Sequence, residues 1–255
     1  MKKVWIIASN TFNESLRKRT LYILLIFAFI VIGASKFFSF LTAQEELKMI
    51  KDVSFSTIEF FGALIAIFGA LGAISCEIEK GTIYTLLSKP LSRTNFVIGK
   101  FIGQILILLL NFVLISVFFI ILLIFKKSPP DMQTFKTLLL IFVELMLISS
   151  ITLAIATFAS NAFNLIMSFF LYIAGHLTTY GKQLVSNRSQ NIVLKVFGEM
   201  IRTIIPNYEN FNIRDKVVVG VNVSWAYVSK TVVYGLIYII IALLIAIYFF
   251  RKKEV

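Results

Sequence analysis

At 255 residues, 58% of them hydrophobic and 15% charged, with a mean hydropathy of +0.89, the chain falls outside the range of water-soluble domains and reads as an integral membrane protein. The formal net charge of +12 does not point to nucleic acid, because the lysines and arginines sit at the ends of apolar runs, beside anionic lipid headgroups. The single Cys76 excludes an intrachain disulfide framework and leaves no thiol pair for metal or redox work.

Crossing the hydrocarbon core as helix takes about 20 apolar residues. Six stretches qualify: Leu21–Phe40, Thr57–Ser75, Val97–Phe125, Thr137–Ala159, Asn164–Tyr180 and Thr231–Phe250. The expected fold class is therefore an all-α integral membrane protein of six transmembrane helices, with an interfacial amphipathic helix before them and an outer helical segment between helices five and six. About twenty patterned residues precede the first stretch, which reads as a span and not as a signal peptide.

In chain order, residues 1–19 place Val4, Trp5, Ala8, Phe12 and Leu16 at spacings of three and four, with charged and amide residues on the other faces. An amphipathic helix with its indole at headgroup level fits this pattern, and so does a plain basic anchor. The second span carries Gly62, Ala66, Gly69, Ala70 and Ala73 along one side, which lets another helix backbone approach closely. In the third span, Lys100 is placed to snorkel to the surface, and Pro129-Pro130 follow its end. Spans four and five are joined by little more than residues 160–163, which requires antiparallel neighbours.

Glu144 falls inside the fourth span, where a charge costs roughly 2.5–3.5 kcal/mol on insertion scales, so it faces protein or water or is protonated. It reads either as part of a substrate pathway or as a structural partner of Asn111 on the third span. His176 reads as a hydrogen-bonded interfacial residue. Within 181–230, Ile192, Val193, Val196, Phe197, Met200, Ile201 and Ile204 recur with helical period before Pro206-Asn207 stops the helix.

Basic residues fix an orientation. With the N-terminus in the cytoplasm, the short inner segments carry twelve lysines and arginines and the short outer loops six, which favours both termini inside; the long segment 181–230 weakens the bias by placing seven more outside, although residues deep in a long loop count less in this rule.

The most informative stretch joins spans two and three: E-I-E-K-G-T-I-Y-T-L-L-S-K-P-L-S-R, Glu77 to Arg93. A short helix from about Thr82 to Ser88 gathers Ile83, Leu86 and Leu87 on one side, and Pro90 ends it. Glu77 and Glu79 lie at its positive end, and Lys89 and Arg93 at the other. Such a capped helix with an apolar side fits a partner-docking surface, and it equally fits leucines dipping into lipid headgroups.

This string resembles the cytoplasmic loop of permease subunits of ABC-2 type transporters, E-x-E-x-G-T-x-x-x-L-L-x-x-P-x-S-R. Glu77, Glu79, Gly81, Thr82, Leu86, Leu87, Pro90, Ser92 and Arg93 match. Pro206-Asn207 with Phe211 is similar to a weaker motif in the branch that includes permeases of copper-enzyme (nitrous oxide reductase) maturation. The resemblance implies one transmembrane permease domain over 1–255, with the interfacial helix at 1–19, a coupling loop at 76–94 and the outer segment at 181–230. It implies docking of a separate ABC ATPase on Glu77, Glu79, Gly81, Thr82, Ile83, Leu86, Leu87, Pro90 and Arg93. It further implies a second permease chain, most simply a homodimer, in a cytoplasmic (inner) membrane, working as an exporter without enzymatic activity of its own. No cofactor is expected on this chain; ATP and Mg belong to the partner. The sequence agrees in one respect: no G-x-x-x-x-G-K-[ST] occurs, since Gly99-Lys100 is followed by Phe101 and has Thr94 in place of the first glycine. The rival readings are a membrane-embedded enzyme, for which no cluster of catalytic side chains is evident, and an ion-coupled secondary carrier resting on Glu144.

Overall fold

A computed structural model describes residues 2–35, 43–79, 92–188 and 205–252. Every regular element among them is helical: α1 (Lys2–Leu16), α2 (Arg19–Ala34), α3 (Ala43–Glu79), α4 (Arg93–Phe125), α5 (Met132–Ala156), α6 (Asn161–Arg188), a 3-10 turn (Tyr208–Asn210), α7 (Arg214–Val218) and α8 (Trp225–Lys252). Four are long and apolar enough to cross a membrane, namely α3 over Glu45–Ile74, α4, α5 and α8. The first expected span falls on the shorter apolar α2, with its last residues outside the described part. The fifth falls on α6, where Asn161, Asn164, Ser168 and His176 dilute the apolar run.

Helix ends differ from expectation for local reasons. Expected to enter its span at Thr57, α3 instead begins at Ala43, because Glu45, Glu46, Lys48 and Lys51 form helix readily while lowering hydropathy. Met132 opens α5, since Asp131 accepts a hydrogen bond from the Thr134 N–H at 3.2 Å as its N-cap. The exit of α4 is set before the two prolines are reached: Lys127 adopts the left-handed region at φ 55°, and the Ser128 N–H donates back to the Leu123 carbonyl. Between α5 and α6 the turn is tight, and the Asn164 amide donates to the Thr152 carbonyl at 3.2 Å, so the two helices are antiparallel neighbours as expected.

The buried centre is α5, of whose most apolar window 78% is buried, against 22% in α8. Small residues on α3 let its neighbours close in: a Cβ at Gly62 would meet Leu145 of α5, and one at Gly69 would meet Gln104 of α4. The helix that the small-residue side of α3 receives is thus supplied by this same chain.

Packing of α1 is equally close. Gly99 and Gly103 of α4 stand one turn apart, and a Cβ on them would lie 2.8 Å from the Ile7 Cβ and 2.6 Å from the Ala8 oxygen, respectively. Ile7, Ala8, Thr11 and Ser15 are the buried face of α1, while Trp5 points outward, 62% exposed. The contact face is therefore chosen by small size and not by the most apolar stripe. Covered by α1, Lys100 does not snorkel: it is 1% exposed, with its ammonium 3.9 Å from Glu14 and 5.6 Å from the Phe96 ring centre.

Two ends of the bundle are distinguished by these contacts. At one gather α1, the start of α4 and the end of α8, where Phe96 and Phe250 stack with centroids 5.2 Å apart. At the other, Lys126 pairs with Glu46, Lys51 with Asp131, and the Lys136 ammonium donates to the Val223 carbonyl at 2.7 Å. The expected helix over 192–204 lies outside the described residues.

Candidate functional site

At the first end, the expected coupling loop enters from α3 and leaves into α4. Glu77 and Glu79 belong to the last turn of α3, while Gly81, Thr82, Ile83, Leu86, Leu87 and Pro90 lie outside the described residues. Its exit is well defined. Ser92 caps α4, its hydroxyl accepting from the Asn95 N–H at 3.2 Å. The next residue, Arg93, reaches across to the C-terminus of α8 and donates through Nη1 to the carbonyls of Phe250 at 3.2 Å and Arg251 at 2.8 Å. Arg251 returns a bond to the Thr94 hydroxyl at 2.9 Å. Those carbonyls are among the last four of a helix, which have no partner within it, and a cation there also meets the negative end of the dipole. The S-R pair thus fastens the loop exit to two helices.

Midway along the bundle lies a polar cluster that no single segment announces. Three helices contribute buried or half-buried ionisable groups: Glu59 from α3, Glu144 from α5 and His176 from α6. The His176 Nε2 stands 3.1 Å from Glu144 Oε1 and 3.4 Å from Glu59 Oε1. Arg214, at the start of α7, bonds the Ser56 hydroxyl at 2.9 Å and approaches Glu59 Oε2 at 3.5 Å. Glu209, on the 3-10 turn, brings Oε2 to 3.9 Å from His176 Nδ1.

The polypeptide is shaped to hold this group. Asn207 caps the 3-10 turn, accepting from the Glu209 N–H at 3.0 Å, and its own N–H donates to the Tyr234 hydroxyl at 2.9 Å. Tyr208 is buried against the His176 ring at a 5.6 Å centroid distance, a place it can occupy only because Gly175 has no side chain. Phe211 is fully buried against Gly235. The Pro206-Asn207 and Phe211 pattern is thus the frame that sets Glu209 beside the histidine.

Closeness within the cluster does not amount to full pairing. The histidine and Glu144 are within contact distance but poorly aligned, and both Glu144 oxygens, His176 Nε2 and Arg214 Nε lack a hydrogen-bond partner. Asn111 bonds within its own helix, its amide donating to the Ile107 carbonyl at 2.8 Å, and it borders a small cavity with Leu21 and Leu25 of α2. Glu144 therefore finds its neighbours on α3 and α6, not in Asn111.

A family profile described as ABC-2 family transporter protein matches residues 5–255. The chain belongs to the ABC-2 transporter family. Two curated relatives are named "Probable ABC transporter permease protein NosY", from Stutzerimonas stutzeri and Pseudomonas aeruginosa. Each is 36% identical over 114 residues, which is 43% of this chain and 41% and 42% of the relatives. The alignment with them thus spans about two fifths of their length.

Within this ABC-2 protein, sequence reasoning found Glu144 and His176 singly but missed Glu59, Glu209 and Arg214. Glu59 stands two residues inside the expected second span and passes for a boundary residue. Arg214 and Glu209 sit in a long polar stretch where charges attract no notice.

Proposed function

We propose that this chain is the membrane-spanning subunit of an ABC exporter, driven by a separate ATPase that docks on the loop Glu77–Arg93. The observation that carries the reading is the whole-chain family match. What supports the coupling role is the loop exit, where Ser92 starts α4 and Arg93 is bound to the end of α8, so displacement of the loop loads two membrane helices at once. ATP and Mg act in the partner, and two permease chains face each other across the substrate path. The path crosses an inner membrane on a six-helix plan, with α2 and α6 completing the four long apolar helices. Both termini and the loop lie on the cytoplasmic side, in keeping with their gathering at one end of the bundle and with the excess of basic residues there.

The test is co-expression with its ATPase and measurement of ATP turnover in vesicles. Gly81→Pro and Glu79→Lys are expected to leave the chain inserted and the ATPase folded while turnover responsive to transport falls at least tenfold. Unchanged turnover in both variants overturns the coupling role, and failure of any ATPase to co-purify with the wild-type chain overturns the assignment.

A further inference from the structure

The cluster midway along the bundle has the donors and the spacing of a cation site. We propose that Glu59, Glu144 and His176 bind one divalent transition-metal cation of the Zn2+ type, with Glu209 orienting the imidazole.

Spacing is the first argument. Zinc sits about 2.0–2.2 Å from imidazole nitrogen and carboxylate oxygen, so two ligands at a tetrahedral angle are about 3.4 Å apart. The Nε2 of His176 lies 3.1 and 3.4 Å from the two carboxylate oxygens, and all three ligand atoms fall within 4.8 Å of one another. They come from α3, α5 and α6, three helices packed together, so the donor set is held by the fold and not by a flexible loop.

Unsatisfied valence is the second argument. Glu144 is 1% exposed, and neither of its oxygens has a hydrogen-bond partner, nor does the Nε2 of His176 that faces it. A buried carboxylate left so is costly, and the cost is removed when a cation takes the position between the three groups. Charge runs the same way. Three carboxylates, Glu59, Glu144 and Glu209, surround the His176 imidazole, while the Arg214 guanidinium meets Glu59 and Asp215; with all three ionised and the imidazole neutral, the form in which it ligates, negative charge is in excess around the histidine.

The third argument is the surroundings. Glu209 lies 3.9 Å from the other ring nitrogen, Nδ1, longer than a hydrogen bond but on the side from which a carboxylate closing onto Nδ1 fixes the tautomer of a metal-bound imidazole and leaves Nε2 free to ligate. The side chains of His176, Glu209 and Arg214 keep 21%, 25% and 29% exposure on one flank of the cluster, while Glu59 and Glu144 close the other. A nitrogen donor with two carboxylates suits zinc and its neighbours over calcium and magnesium, which take oxygen alone.

Tag-free chain in detergent, stripped with EDTA, is titrated with Zn2+ by calorimetry and with Co2+ by visible absorption, with no ATPase present, so the outcome is independent of the transport reading. One Zn2+ per chain is expected, together with a cobalt d–d band, a raised melting temperature with zinc, and a loss of affinity of at least tenfold in Glu144→Gln and in His176→Gln. Each variant is first checked by size exclusion and by its metal-free melting temperature. Should a variant not fold, Glu59→Gln and the wild-type cobalt spectrum carry the decision. No stoichiometric uptake by folded wild type overturns the proposal, as does zinc binding that persists undiminished in the folded variants or a cobalt spectrum unchanged from the aquo ion.

Discussion

Replacing Arg93 with alanine separates two roles for the same residue, a contact made to the ATPase and a clamp made within this chain. The structure gives the clamp two bonds from one guanidinium nitrogen to the Phe250 and Arg251 carbonyls, at 3.2 and 2.8 Å. Bonds from a charged donor are worth about 1.5–3 kcal/mol each when buried. Arg93 is only half-buried and solvent competes for these carbonyls, so the loss expected is about 1–2 kcal/mol in total. For a chain of this size that corresponds to a melting temperature lower by roughly 3–6 °C in detergent. The effect should also be local. Hydrogen exchange at the last turn of α8 quickens, whereas exchange in the middle of α5 does not change. Arg93→Lys restores part of the loss, since an ammonium satisfies a carbonyl but lacks the fork. The reasoning is refuted if Arg93→Ala leaves melting and α8 exchange untouched while association with the ATPase is lost, for then the residue serves the partner and the bond to α8 contributes nothing.

Two further outcomes follow from packing and charge. Gly103→Val places side-chain carbon where the Ala8 oxygen and Thr11 Cβ already stand, both 2.6 Å from an added Cβ; the cost is about 1–3 kcal/mol, taken up by displacement of α1. Exchange across residues 5–16 should then quicken with the membrane helices intact, and unchanged protection there would show that α1 does not depend on this contact. At Asp131, burial pushes the carboxyl up, but the Thr134 hydroxyl, the Lys51 ammonium and the Thr134 N–H together hold it below its ordinary value of 3.8. Its stabilisation is therefore fully present above that value and is lost as pH falls through the lower folded one. Asp131→Asn keeps a capping oxygen, so its melting temperature should fall less steeply between pH 5 and pH 3 than that of wild type; parallel curves would remove Asp131 from the acid response.

What could be read from the chain follows a physical division. Lipid demands an apolar run of fixed length, so α4, α5 and α8 are evident from composition, and a four-residue link makes α5 and α6 neighbours without any knowledge of packing. Hydropathy reports where lipid is, however, not where helix is, and so α3 extends fourteen residues earlier than its apolar part, from Ala43 instead of Thr57. Lys100 was expected at the surface because nothing in its own helix covers it; the cover is α1. His176 reads as a solitary histidine because its neighbours Glu59 and Glu144 belong to two other helices, and only the meeting of α3, α5 and α6 makes one site of them. In each case what sequence leaves out is the identity of the helix lying across.

The loop departs from one end of α3 and the polar cluster takes Glu59 from its middle, so one element belongs to both. Glu59 and Glu79 lie on the same unbroken α3, twenty residues apart, which is about 30 Å of helix at 1.5 Å per residue. Among the described residues α3 has no proline to absorb a push, so a displacement applied at its loop end arrives at Glu59 as motion of the whole rod. Its flank is lined by glycine and alanine where it meets α4 and α5, and close-packed helices of that kind shift by sliding more readily than by separating. Such a slide moves Glu59 relative to Glu144 on α5 and His176 on α6, because these three groups are held by three different helices. A geometry suited to one cation in one position of α3 is therefore altered in another. Through Glu59 the cluster is thus tied to α3, the helix from which the loop departs.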